Sequence, residues 1–278
     1  MKRFLTLTLA CIIFALSFTA CTSNNDEDGV YTLRMGLVGD HQDHWRKAQE
    51  LLLEQGINLE FVFFTDFMTP NRALNDGDID INAFQHHQFF NNDTANNNYQ
   101  LTAIGEMFYV PLNLFKNPAR ISSLEDITDG MTIAVPSDAV NYGRALRFLE
   151  QAGLLALDTP EGILPTELDI VEFIVNINII TAESGMLAQI LPDVDAAIIN
   201  TINAFTAGLR PQTDSILQEL VEGENRHNLT NLIAIRTEDY VNGGHRMQLF
   251  ETIVNTFRSD VIRQVILDVY QGALVPVF

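Results

Sequence analysis

From residue 33 onward, short apolar runs rich in β-formers alternate with segments of helical period, and this alternation restricts the chain to an α/β fold. Residues 33–38 form a strand candidate. Residues 43–55 form an amphipathic helix with Trp45, Ala48 and Leu52 on one face and Gly56 past its end, and 59–64 form a second strand. Thr69 and Pro70 read as the N-cap and first residue of a short helix reaching Leu74, closed by Asn75-Asp76-Gly77, with a third strand at 79–83. Strand, helix, strand in this order predicts mostly parallel pairing with right-handed crossovers. A second series follows. Ser122 and Glu125 have capping-box spacing, 132–135 is a strand, 143–151 a helix, 172–175 and 177–181 extended, 184–190 helical and 196–199 a buried strand. Residues 231–236 add a strand, and helices follow near 247–257 and 259–270, while the Asn-rich stretch 91–98 reads as a surface loop. Two series predict two lobes, with the apolar runs 108–115 and 231–236 paired as strands crossing between them.

Charge narrows the function classes. The 278 residues carry 36 Asp+Glu against 16 Lys+Arg, a formal net charge of −20, which excludes sequence-independent nucleic-acid binding. It equally disfavours docking to an anionic membrane through a basic patch. The 47% hydrophobic content is enough for a real core, so the acidity belongs to a globule rather than a disordered tail. At the N-terminus, Lys2 and Arg3 precede the uncharged run 4–20 and then Cys21, the layout of a secretory signal. Thr19-Ala20-Cys21 resembles a bacterial lipoprotein cleavage box, with Phe18 standing where Leu is usual, and makes Cys21 the lipid-bearing residue. An uncleaved N-terminal anchor is the alternative. Residues 22–31, polar and acidic, read as a tether.

Four polar or aromatic segments fall at predicted strand ends, where α/β folds place their ligands. They are 65–71, 82–89, 136–144 and Asn200. Arg144 at a helix start opposes the macrodipole, so it reads either as half of a carboxylate site or as a solvated arginine on the helix face. Phe67, Phe84 and Phe89 with His86 read either as pocket walls or as plain core, and Asn200 either grips a ligand or caps the next helix. His86-His87 and His41-x-x-His44 invite a metal, but adjacent strand residues face opposite ways and no spaced set supplies four ligands; no metal is expected. No Gly-rich phosphate loop, no Gly-x-Ser-x-Gly elbow and no Cys/His pair is present, so neither catalytic residues nor cofactors are expected.

Several of these segments resemble one family closely. Thr65-Asp66-Phe67 with Pro70-Asn71-Arg72-Ala73-Leu74, Asn82-Ala83-Phe84-Gln85-His86, Asn141-Tyr142-Gly143-Arg144-Ala145-Leu146, residues 193–200 (DVDAAIIN) and the ending 272–278 (GALVPVF) are similar to motifs of the methionine-binding lipoproteins of bacterial ABC importers, the MetQ/NlpA family. The resemblance implies a two-lobed periplasmic-binding-protein fold, each lobe a mostly parallel sheet flanked by helices. It divides the chain into a signal (1–20), a tether (21–31), a first lobe (32–112 and 228–278) and a second lobe (113–227). It implies no enzyme, but a lipid-anchored binding protein on the extracytoplasmic side of a membrane, delivering L-methionine or a close relative to a permease and its ATPase. The ligand-contacting positions carry over as Phe67, Phe84, His86, Phe89, Arg144, Asn200 and Asn231. Arg144 would pair with the ligand carboxylate, the two asparagines would bond its zwitterionic backbone, and the aromatics would enclose the thioether. Phe67 and Phe89 stand where the family usually has Tyr, which leaves free methionine, a methionine dipeptide or another apolar amino acid as ligands. A surface adhesion or signalling protein on the same fold is the other alternative.

Overall fold

The computed structural model describes residues 29–160, 162–220 and 224–278; the expected signal, Cys21 and most of the tether lie outside these. The first βα series runs β1 (Tyr31–Val38), α1 (Asp43–Leu53), β2 (Ile57–Phe64), α2 (Thr69–Asp76), β3 (Ile81–Asn82), α3 (His87–Asn97) and β4 (Leu101–Tyr109). The chain then crosses to β5 (Asn113–Lys116), β6 (Thr132–Pro136), α4 (Ala139–Gln151), β7 (Leu155–Leu157), β8 (Ile170–Phe173), β9 (Asn178–Ala182), α5 (Leu187–Ile190), β10 (Ala196–Ile199), α6 (Thr201–Thr206), α7 (Pro211–Asp214) and β11 (Ser215–Gln218). It returns through α8 (Glu224–Asn228) to β12 (Thr230–Arg236), α9 (Thr237–Asn242), α10 (Gly244–Phe257), α11 (Asp260–Tyr270) and β13 (Val275–Pro276). Among the described residues no helix is long and apolar enough to cross a membrane.

Two sheets define two lobes. The first has the order β13-β4-β12-β3-β1-β2 and the second β11-β5-β10-β6-β9. The βα series produce the expected parallel pairs, β1 with β2 and β3, and β6 with β9 and β10. Both sheets are nevertheless mixed rather than mostly parallel. The strands at the chain crossings and their edge neighbours add antiparallel pairs: β12 against β3 and β4, β13 against β4, and β5 against β10 and β11.

The apolar run 108–115 is two strands, not one. Val110, Pro111 and Leu112 carry the chain between lobes, because Pro111 has no N–H to give to a ladder. The strand expected at 231–236 stays in the first lobe, where Thr230 faces Tyr109 and Arg236 faces Leu101. The Asn-rich stretch 91–98 is helical rather than a loop. Phe89, Phe90 and Asp93 bury one face of α3, and Asn98 ends it in the left-handed region at φ 56°. Met68, not Thr69, is the N-cap of α2, with Asp66 capping from outside: its Oδ1 accepts from the backbone N–H of Met68 and Thr69, both at 2.8 Å. The expected box at Ser122 lies one residue later, where Asp126 Oδ2 accepts from the N–H groups of Ser122 and Ser123.

Burial explains the layers. α1, α10 and α11 cover one face of the first sheet with Trp45, Phe250, Phe257 and Tyr270, all fully buried. In the second lobe α4 packs Ala145, Leu146, Phe148 and Leu149 on one face of the sheet, and Leu187 and Leu191 pack on the other. Ile202 and Phe205 of α6 reach the first lobe's core, so the lobes meet through side chains as well as through the two chain crossings. Gly185 of the second lobe approaches so closely that a Cβ there would collide with the Thr65 carbonyl oxygen of the first.

Candidate functional site

Between the lobes lies a cavity lined by Phe67, Phe84, His86, Phe89, Arg144, Asn200 and Asn231, together with Asn141, Val110 and Ile202 among others. Each wall arises from local chain geometry. Phe67 leaves β2 on the turn held by Asp66, and Phe84 leaves β3. His86 caps α3, its Nδ1 accepting from the Phe89 N–H at 3.2 Å, which sets Phe89 beside it. The rings of Phe67, Phe84 and Phe89 lie 6.0 to 6.2 Å apart, a three-sided aromatic box with His86 at its edge, 6.4 Å from Phe89.

Behind the box stands a buried amide network that sequence reading did not single out. Asn71 Nδ2 donates to Gln85 Oε1 at 2.7 Å and to Asp93 Oδ2 at 2.8 Å, while Asn71 Oδ1 accepts from Asn82 at 3.0 Å and from Gln85 at 2.6 Å. These amides bind one another, which locks the 82–86 segment that carries Phe84 and His86. Their signal in the sequence was the presence of Asn71, Asn82 and Gln85 inside the quoted motifs. What they touch was not readable.

The polar side of the cavity comes from the second lobe and the crossings. α4 begins four residues earlier than expected, at Ala139, capped by Asp138, whose Oδ1 accepts the Asn141 N–H at 2.9 Å. Arg144 therefore lies inside the helix rather than at its start, and its charge is answered in place. Its Nε donates to Glu219 Oε1 at 2.9 Å, and its Nη2 to Glu219 Oε2 at 2.5 Å and to the Val110 carbonyl at 2.7 Å. Glu219 Oε2 also accepts the Leu112 N–H at 2.8 Å, so this ion pair clamps both chain crossings. Both side chains are 5% exposed. Burial works against the Arg144 charge, but Glu219 outweighs it and raises the guanidinium pKa. The solvated-arginine alternative is thereby excluded. Glu219 lay in no segment singled out from the sequence.

Several buried polar atoms at the cavity are unmet. Asn200 precedes α6 without a side-chain cap; its Nδ2 donates to Asn141 Oδ1 at 3.3 Å and its Oδ1 has no partner. His86 Nε2 is buried without a hydrogen bond of normal geometry. Burial, with the Arg144 charge adding to it, lowers the His86 pKa to about 3, so the imidazole is neutral near neutral pH. Asn231 Nδ2 donates to the Phe84 carbonyl at 3.3 Å, and its backbone bridges to His86. His44 stands apart, buried beneath α11 with its Nδ1 2.9 Å from the Tyr270 hydroxyl.

Comparison with known proteins agrees with this architecture. The family model described as NlpA lipoprotein matches residues 33–278. The D-methionine-binding lipoprotein MetQ of Salmonella typhimurium is 33% identical over 271 residues, covering 96% of this chain and 95% of that one. The probable D-methionine-binding lipoprotein MetQ of Vibrio cholerae is 35% identical, covering 97% and 96%. Among solved structures, the substrate-binding protein of a methionine transporter from Streptococcus pneumoniae superposes with a TM-score of 0.83 at 32% identity, over 89% of this chain and 96% of that one. A nutrient-binding protein from Burkholderia cenocepacia bound to methionine gives 0.80 at 30% identity, over 88% and 100%. With a family match over residues 33–278 and relatives above 30% identity along nearly their whole length, this chain belongs to the NlpA lipoprotein family.

Proposed function

We propose that this protein is the binding component of an amino-acid importer, closing its two lobes on methionine or a close relative. The observation that carries the reading is the mixed lining of the inter-lobe cavity: an aromatic box together with a buried cation and an unmet amide oxygen. An amino acid is mixed in the same way. Arg144 uses Nε and Nη2 on Glu219 and Val110, and its Nη1, with the Tyr109 hydroxyl also beside the guanidinium, takes the α-carboxylate. Asn200 Oδ1 accepts from the ammonium, and Asn231 lies across from it on the first lobe. The rings of Phe67, Phe84 and Phe89 surround a side chain for which they offer dispersion and sulfur–aromatic contact but no counter-charge. His86 is neutral and adds none. The chemistry supports capture and release, with no covalent step. In this reading the closed lobes are presented to a permease driven by an ATPase, and Cys21 carries the lipid that keeps the protein at the outer face of a membrane.

Thermal-shift measurement across the standard amino acids, both methionine enantiomers and Gly-Met tests the ligand. Methionine should stabilise, with leucine weaker by only about 1–3 kcal/mol because hydrocarbon walls separate near-isosteres poorly. Glutamate and lysine should not, since a second buried charge would have no partner. Stabilisation by glutamate or lysine and none by methionine or Gly-Met overturns the reading.

A further inference from the structure

At the start of α3, three metal-ligating side chains converge from distant parts of the chain. His87 is the first residue of α3, Glu106 lies in β4, and His227 lies in α8, where the chain re-enters the first lobe. Their donor atoms all lie within 4.8 Å of one another. Glu106 Oε1 is 2.9 Å from His87 Nε2 and 2.9 Å from His227 Nδ1, and the two imidazole rings face each other at 4.5 Å. Among the described residues no arginine or lysine pairs with the Glu106 carboxylate. Arg226, next to His227, instead places its guanidinium over the Tyr109 ring at 5.6 Å.

We propose that His87, Glu106 and His227 bind a divalent transition-metal ion of the zinc class. Two imidazoles and a carboxylate are a borderline donor set suited to such an ion rather than to calcium or magnesium. Ligands about 2.0–2.1 Å from a tetrahedral zinc stand about 3.3 Å apart, so the two 2.9 Å separations need open by only a few tenths of an ångström. Each imidazole turns its lone pair, rather than its N–H, to the ion by taking the other tautomer. The His227 side chain is 65% exposed, which leaves a solvent-facing side for entry and for a fourth ligand from water. The protein's net charge of −20 favours cation approach. Bound there, the ion ties α8 to α3 and β4, fastening the return crossing to the first lobe at the residue next to His86.

The test is calorimetric titration of zinc into the untagged, full-length protein in detergent, after stripping with a chelator. The expected result is one zinc per chain with a Kd on the order of micromolar or tighter and a thermal midpoint that rises with zinc. His87→Gln and His227→Ala should each weaken binding about tenfold or more, since losing a ligand costs at least as much as losing an outer partner. Circular dichroism of each variant shows that it is folded, and His227, being exposed, can be replaced without opening the core. No saturable binding at roughly 100-fold the expected Kd overturns the proposal. So does zinc binding that survives unchanged in both variants, which would place the ion elsewhere, for instance on Cys21.

Discussion

Glu219→Gln separates the two tasks of Arg144. The Glu219 carboxylate takes two hydrogen bonds from the guanidinium and one from the Leu112 N–H, with both charged side chains 5% exposed. Removing one partner of such a pair costs about 3–5 kcal/mol because the other charge is left buried. The amide oxygen still accepts one of the bonds, worth about 1.5–3 kcal/mol when the donor is charged. The net expectation is a loss of about 2 kcal/mol in urea unfolding without ligand. An α-carboxylate arriving at Arg144 supplies the missing charge, and it no longer faces Glu219. Saturating methionine should therefore stabilise the variant more than it stabilises the wild type, recovering much of that loss. A variant within about 0.5 kcal/mol of wild type without ligand would mean that the pair is not buried. A variant stabilised less than wild type by methionine would mean that Arg144 does not hold the ligand carboxylate.

Other expectations follow from the same contacts. Gly185→Val places a side chain on the Thr65 carbonyl oxygen only when the lobes are together. A strain of about 1–3 kcal/mol confined to the closed form weakens methionine binding by about 5- to 150-fold and enlarges the particle in solution scattering; unchanged affinity would show that closure is not needed. His44 and His86 are held neutral by burial, their pKa values lowered from 6.5 to about 3. Below about pH 6.5 the unfolded chain takes up protons that the folded protein refuses, so stability present above that pH is lost as it falls toward 3, by at most about 1.4 kcal/mol per pH unit per histidine. Urea unfolding across this range should show the slope, and His44→Gln should flatten it; an unchanged slope refutes the attribution. Cys21→Ala should release the protein from the membrane in fractionation, whereas retention would indicate an uncleaved N-terminal helix.

What the sequence by itself determined is what depends on neighbours along the chain. The strand–helix alternation, the helix carrying Trp45, Ala48 and Leu52, and the buried strand before Asn200 all rest on periodicity and local chemistry, and they stand where the pattern put them. Two lobes followed from two such series, and four of the five quoted motifs line or brace one cavity, the C-terminal one instead packing into the first lobe's core and sheet edge. Tertiary structure decided the rest. The Asn-rich stretch is a helix because Phe89, Phe90 and Asp93 are buried on one side of it, a driving force that outweighs the poor helix propensity of asparagine. The antiparallel half of each sheet depends on where the chain crosses between lobes, which Pro111 and the Glu219 clamp set together. Arg144 looked like a free cation at a helix start because its partner lies 75 residues away with no local signal. His87, Glu106 and His227 meet only because α3, β4 and α8 pack side by side. Spacing in sequence reports contacts within one turn or one strand, whereas an ion pair or a ligand set built from three elements exists only once the backbone has brought them together.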